Sequence, residues 1–280
     1  MTTTTLTEVS AADLKSVAQF VENRSAILCP EDKYYLFEAR LRPVLRKHEV
    51  ADLSSLAALL RSGPPPPLAD AVIEAMTTNE TSWFRDVHPF DAIKSGIVPE
   101  LVSSRANTRK LSIWSAACST GQEIYSLAMM LDLQFPELAG WELALHGTDI
   151  NLEVLAQARS ARYSALEVNR GLPAQYLARY MERDGASYVL AERIRSAATF
   201  NQLNFVGAWP IMPRFDLVLC RNVLIYFDID VRARIVRKIR DTLAPGGYLV
   251  LGSSETSIGD VDGFTRVVFG RTTVYRKEAR

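Results

Sequence analysis

Cysteine and histidine are scarce in this 280-residue chain. Cys29, Cys118 and Cys220 are odd in number and far apart, and His48, His88 and His146 form no His-x-x-x-His pair. Neither set has the spacing of metal ligands, and three thiols do not make a disulfide framework, so no metal site is expected. Cys118 and Cys220 fall in or beside apolar runs, where a thiol behaves as a small buried hydrophobe. No apolar run is long enough to cross a bilayer, which argues against direct membrane insertion. The opening MTTTTLTEVS carries neither a basic region nor an apolar core, so no secretory leader is read there and a cytoplasmic location is expected. A charge excess is also missing: Lys+Arg and Asp+Glu each number 32. That balance argues against a general nucleic-acid binder, while leaving room for a local basic patch. Finally, no G-x-G-x-x-G occurs after any candidate strand, which disfavours a dinucleotide cradle and with it a dehydrogenase.

What is present divides the chain. Residues from about 11 to 60 read as helices. Leu14, Val17, Ala18 and Val21 recur at helical spacing, Leu36, Ala39 and Leu41 continue the pattern before Pro43, and Leu53, Leu56, Ala57 and Leu60 form a third stripe. Four consecutive prolines, Pro64 to Pro67, predict a stiff spacer over 62–67, and a further helix is expected at 68–76. These features predict a small all-helical domain over 1–76 and a second domain over 77–280. In the second, apolar runs at 111–116, 143–148, 215–220 and 248–251 alternate with amphipathic stretches. Strands alternating with helices imply parallel pairing through right-handed crossovers, a doubly wound α/β sheet. Residues 266–269 and 272–275 flank Gly270-Arg271 and predict a C-terminal antiparallel hairpin. The interval 170–200 breaks the alternation, with a helix-like stretch at 176–181 and strand-like pieces at 188–190 and 194–200, and reads as an insertion at the rim of the sheet.

In open α/β sheets ligands bind beyond the carboxyl ends of the strands. The first strand exits there into Ser115-Ala116-Ala117-Cys118-Ser119-Thr120-Gly121-Gln122-Glu123, a turn of small residues with one glycine. Such a turn lets the backbone approach a ligand that carries no phosphate. Glu123 falls in the first turn of the following helix, where the dipole favours a carboxylate; a plain capping role stays open. Asp149 ends the next strand, where an acid can accept from the two hydroxyls of an adenosine ribose. Its alternative is an N-cap for the helix near Asn151, and its spacing from the loop favours the ribose. Asn222 follows the 215–220 run at the carboxyl edge, beside the expected reacting group, and Tyr226 is placed to close the pocket. Asn79, Thr81 and Arg85 form a polar segment that, on local grounds, reads as a capping turn.

Several long motifs resemble one family in its own order: Thr77 to Asp86 (TTNETSWFRD), Trp114 to Ser126 (WSAACSTGQEIYS), Gly147 to Ile150 (GTDI), Cys220 to Phe227 (CRNVLIYF), Leu243 to Tyr248 (LAPGGY) and Gly252 to Glu255 (GSSE). They are similar to the chemotaxis-receptor methyltransferases (CheR), over nearly the whole chain. The resemblance implies a Rossmann-like class I methyltransferase sheet with an inserted β-subdomain behind a helical N-terminal domain. It implies S-adenosyl-L-methionine as cofactor and S-adenosyl-L-homocysteine as product, held by Asn79, Thr81, Arg85, Glu123, Asp149, Asn204, Phe205, Arg221 and Asn222. Phe205 stands where the family usually has Leu. Arg85 and Tyr226 are the groups expected to orient the reactants. The activity implied is methylation of glutamate side chains on the cytoplasmic region of methyl-accepting chemotaxis receptors, with the protein acting as a monomer. A basic face of Arg40, Arg42, Arg46 and Lys47 is a candidate dock for an acidic receptor helix. The rival readings are a methyltransferase for another acceptor and a non-catalytic relative that binds a receptor or a regulator.

Overall fold

In the computed structural model, residues 9–255, 258 and 261–278 are described. The described chain packs as two units: the residues up to Thr78 together with Tyr226–Asp228, and Asn79–Ile225 with the residues from Ile229 onward.

The first unit is helical: α1 (Ala11–Ser25), α2 (Tyr35–Lys47), α3 (Leu53–Ser62) and α4 (Pro66–Met76). Ser10 caps α1 by accepting from the Asp13 N–H, and Asp52 caps α3 by accepting from Ser55. Each cap satisfies a donor that the helix itself leaves unpaired. From the stripes read in sequence, Val17, Val21, Leu41 and Leu56 are nearly inaccessible, but in α2 it is Phe37 that packs inward with Leu41, while Leu36 is half-buried and Ala39 exposed. Three prolines behave differently from expectation. The helix does not stop before Pro43 but runs through it to Lys47, held by buried Leu41 and Val44 on either side. The run 62–67 is not a spacer throughout, because Pro66 and Pro67 occupy the first turn of α4. There the missing N–H costs nothing and the fixed φ suits a helix.

The second unit begins with α5 (His88–Ala92), continues through a short π-helical stretch Ile93–Ile97 into α6 (Val98–Arg105), and then builds the sheet. Its elements are β1 (Lys110–Ala116), α7 (Gln122–Gln134), β2 (Glu142–Asp149), α8 (Leu152–Ser160), β3 (Arg162–Ser164), α9 (Ala165–Asn169), α10 (Ala174–Tyr180), β4 (Met181–Asp184), β5 (Ser187–Leu190), α11 (Glu192–Arg195) and β6 (Ala198–Gln202). After them come β7 (Phe215–Cys220), α12 (Ile229–Thr242), β8 (Leu243–Leu251), β9 (Phe264–Phe269) and β10 (Thr272–Lys277).

Seven strands form one sheet in the order β6-β2-β1-β7-β8-β10-β9. β6, β2, β1, β7 and β8 run parallel, and β10 and β9 close the edge antiparallel. This is the doubly wound sheet with a C-terminal hairpin that the alternation predicts. Every residue of β7 is buried, as a central parallel strand covered on both faces requires. Trp114, Tyr125 and Tyr248 elsewhere in this unit are fully buried as well.

The insertion is a three-stranded antiparallel sheet in the order β3-β5-β4, but its limits differ from those read in the sequence. It starts at Arg162, ahead of residue 170, because β3 pairs with β5. Residues 198–202 leave it and pair with β2 in the main sheet, and residues 192–195 are helical. A three-residue strand such as β3 carries too little periodicity to be visible before its partner is known.

Candidate functional site

The parallel register builds the site. Ala116 in β1 pairs with Thr148 in β2 and with Cys220 in β7, and Cys220 pairs with Leu251 in β8. The four strands therefore end level, and the residues that follow them share one edge: the 117–121 turn, Asp149, Arg221-Asn222 and Gly252. β6 joins the row, with Thr148 opposite Asn201, and the Leu203 N–H donates to the Asp149 carbonyl at 2.9 Å, leading to Asn204-Phe205. β1 sits where the connections change direction, since β2 lies on one side and β7 on the other. Such a switch point is where open α/β sheets place their ligand crevice.

The backbone at this edge is unusual. Ala117, Ser119 and Asn222 have φ of 63°, 50° and 58°, and Gly121 has 92°. In the neighbouring segment Phe84, Asp86 and Val87 have φ of 47°, 68° and 51°. Left-handed conformations in non-glycine residues are costly and cluster where surrounding structure holds them for a purpose.

Hydrogen bonds hold them here. Asp149 is buried; its Oδ2 accepts the Ser119 N–H at 2.9 Å and its Oδ1 the Asn151 N–H at 3.0 Å. The cap of α8 is Asn151, which accepts from Glu153 and Val154. Asp149 therefore faces the turn rather than capping the helix. Cys118 is buried, and burial, followed by the charges of Asp149 and Glu123, pushes its thiol well above the ordinary range. It is a neutral packing group. The Ser119 hydroxyl donates to the Asn79 carbonyl at 2.8 Å, tying the 79–86 segment to the turn.

A second network surrounds Arg221, whose side chain is 1% exposed. It donates through Nη1 to Glu123 Oε2 at 2.7 Å, and through Nη2 to the Arg85 carbonyl at 2.6 Å and Asp86 Oδ2 at 3.1 Å. Glu123 Oε1 accepts the Ser115 hydroxyl at 2.7 Å. Glu123 is thus an ion-paired anchor between α7, the end of β1 and the loop after β7, rather than a helix cap alone. The 79–86 segment is further fixed by the Trp83 N–H on the Arg170 carbonyl at 3.1 Å and by the Glu80–Arg170 ion pair. Gly171 (φ 94°) lies so close that a Cβ there would sit 2.3 Å from the Trp83 carbonyl oxygen. The polar segment that reads locally as a capping turn precedes no helix in its first half; it is a strap held at both ends.

The remaining predicted residues divide. Thr81 and Arg85 are half-buried, and the Arg85 side chain donates to the Glu80 carbonyl at 2.6 Å. Asn204 accepts from the Val206 N–H at 3.1 Å. The Phe205 side chain is buried, and its carbonyl accepts from Trp209 Nε1 and Lys238 Nζ. Tyr226 falls in the helical unit, where its carbonyl accepts the Leu28 N–H at 2.9 Å. Glu255 drew no individual role from sequence. Its carboxylate is buried and accepts the N–H groups of Asn222, Val223, Leu224 and Gly252. Its sequence signals were the GSSE motif and an acid three residues beyond the glycine that follows β8.

Two family models match: the all-alpha domain of CheR methyltransferases over residues 12–77 and the SAM-binding domain of CheR methyltransferases over residues 79–273. The chain belongs to the CheR methyltransferase family.

Relatives agree along their whole length. A chemotaxis protein methyltransferase 1 of Pseudomonas aeruginosa is 37% identical over 95% of this chain and 97% of its own. Chemotaxis protein methyltransferase Cher2 of Pseudomonas putida is 35% identical over 94% of this chain and 97% of its own. A chemotaxis protein methyltransferase of Vibrio parahaemolyticus is 34% identical over 96% and 98%. The chain is accordingly a methyltransferase of the chemotaxis type, and its cofactor is S-adenosylmethionine. The site fits that cofactor. The turn after β1 carries only small side chains over backbone held in left-handed conformations, and an acid closes the adjacent strand at the same level. Among the described residues no helix is long and apolar enough to cross a membrane, and no cluster of three His, Cys, Asp or Glu side chains is placed to hold a metal ion.

Proposed function

We propose that this CheR-family chain transfers the methyl group of S-adenosylmethionine to glutamate side chains in the cytoplasmic region of chemotaxis receptors, giving glutamyl methyl esters. The observation that carries the reading is the level row Thr148–Ala116–Cys220, which gathers Asp149, the small-residue turn and Asn222 at one edge. Bound cofactor supplies an electrophilic sulfonium methyl; the O–CH3 bond forms as the CH3–S bond breaks and its electron pair stays on sulfur as a neutral thioether. A glutamate carboxylate is ionised at neutral pH, so no general base is required of the chain. What the chain supplies is position, which is worth several kcal/mol when reactants are held in line.

In this reading Asp149 accepts from the ribose hydroxyls. Phe205 offers an apolar wall to the adenine, with Asn204 beside it. Asn79, Thr81 and Arg85 approach from the strap, and Glu123, Arg221 and Asn222 from the floor at the methionine end. Tyr226 is carried over from the family motif as an orienting group.

The test is incubation with methyl-labelled cofactor and a chemoreceptor cytoplasmic fragment. Label that leaves as methanol in mild base supports a glutamyl ester; base-stable label points to N-methylation and overturns the acceptor. Binding of S-adenosylhomocysteine without any transfer would leave only a binding protein.

The basic face proposed for receptor docking is narrower than the sequence implies. Arg40 is half-buried and donates to the Met76 and Thr77 carbonyls at 2.8 and 3.3 Å and to the Thr78 hydroxyl at 3.0 Å, so it closes the end of α4. Arg42 pairs with Glu38 at 2.6 Å. Arg46 and Lys47 are exposed in the last turn of α2. Reversing both charges, Arg46→Glu with Lys47→Glu, is expected to raise the receptor KM several-fold while S-adenosylhomocysteine affinity, read by calorimetry, stays within twofold. Unchanged receptor kinetics would remove this face from docking.

A further inference from the structure

Asn222 adopts a left-handed φ of 58°, which an asparagine tolerates but does not prefer. It follows a fully buried strand at the edge where the reacting groups meet. What holds it there comes from the turn that follows β8. The Glu255 carboxylate, 4% exposed, accepts four backbone N–H groups: Asn222 at 2.7 Å and Gly252 at 2.8 Å on Oε2, Val223 at 2.9 Å and Leu224 at 2.7 Å on Oε1. Successive N–H groups converging on one anion form a nest, here filled by the protein's own side chain. Gly252 is part of the device. A Cβ there would lie 2.7 Å from Glu255 Oε2, 2.8 Å from the Asn222 nitrogen and 2.9 Å from its Nδ2. The absent side chain is therefore what lets the carboxylate and the Asn222 amide share that space.

We infer that Glu255 is a positioning residue for the methyl-donating end of the cofactor, setting Asn222 through its backbone without touching either substrate. This rests on the methyl-transfer reading above. A carboxylate is the only side-chain group that can take all four N–H donors at these two oxygens. Glutamine has one acceptor oxygen and a donor NH2, so in either orientation two of the four N–H groups would face a donor.

Two ligands separate this role from a general one. S-adenosylhomocysteine has the amino-acid arm at the end where Asn222 lies; 5′-methylthioadenosine keeps the nucleoside and sulfur but lacks that arm. For Glu255→Gln, calorimetry is expected to show S-adenosylhomocysteine affinity at least tenfold weaker and methylthioadenosine affinity within twofold of the parent, with kcat for methyl transfer reduced. Gly252→Ala, which crowds the same two atoms, is expected to give the same split and carries the test if Glu255→Gln does not fold. Parent-like affinity for both ligands in a folded variant, or equal loss of both, overturns the inference. Failure of the parent protein to bind S-adenosylhomocysteine would instead overturn the methyl-transfer reading beneath it.

Discussion

Asp149→Ala is expected to weaken S-adenosylhomocysteine binding by at least about a hundredfold, and methyl transfer with it. Hydrogen bonds to a charged acceptor contribute about 1.5–3 kcal/mol each, and about 1.4 kcal/mol is a factor of ten, so two ribose hydroxyls account for that loss. The same carboxylate holds the Ser119 N–H at 2.9 Å, so the turn after β1 loosens as well. Leaving that buried N–H unsatisfied costs a further ~1–3 kcal/mol of stability. Calorimetric titration with S-adenosylhomocysteine, alongside thermal melting, reads the two effects. An Asp149→Ala protein that folds and binds with the parent's affinity would remove Asp149 from the site and take the nucleoside placement with it.

Arg221→Met should produce the largest loss of stability. Methionine keeps much of the volume but strands Glu123, whose side chain is only 12% exposed, and releases the Arg85 carbonyl and Asp86. Removing one member of a buried ion pair typically costs ~3–5 kcal/mol, because the remaining charge has lost its partner in a poorly solvated place. Activity is expected to fall further than stability explains, since the strap carrying Asn79, Thr81 and Arg85 loses its tie to the end of β7. The double variant Glu123→Gln with Arg221→Met separates the causes. It should recover part of the melting temperature by neutralising the stranded carboxylate, and none of the methyl transfer. A single variant that melts with the parent would show the network to be incidental; a double variant with restored transfer would show that only charge balance mattered.

These two sites were unequally legible beforehand. Asp149 announced itself by ending a buried run about thirty positions after a small-residue turn. Glu123, and through the family motif Arg221, were each legible as candidates, but nothing in their spacing says that they bind one another, 98 positions apart. The same holds for Glu255, whose carboxylate reaches back 33 positions to the Asn222 N–H, and for the strap at 79–86, whose local pattern imitates an ordinary capping turn. The four-residue basic face narrowed for a related reason, because Arg40 donates to a carbonyl at the end of a helix 36 positions away.

Residue order alone determined the helical first unit, the alternating strands and helices, the antiparallel finish and the turn after β1. All of these follow from periodicities and turn residues that act over a few positions. Family membership was legible too, through several motifs in one order. Tertiary structure alone decided which charges are paired, where the inserted sheet begins and ends, and why left-handed residues stand at the edge of the sheet. Those depend on strand register: with Thr148, Ala116, Cys220 and Leu251 level, side chains distant in the chain come within hydrogen-bond reach, and no local pattern encodes that alignment.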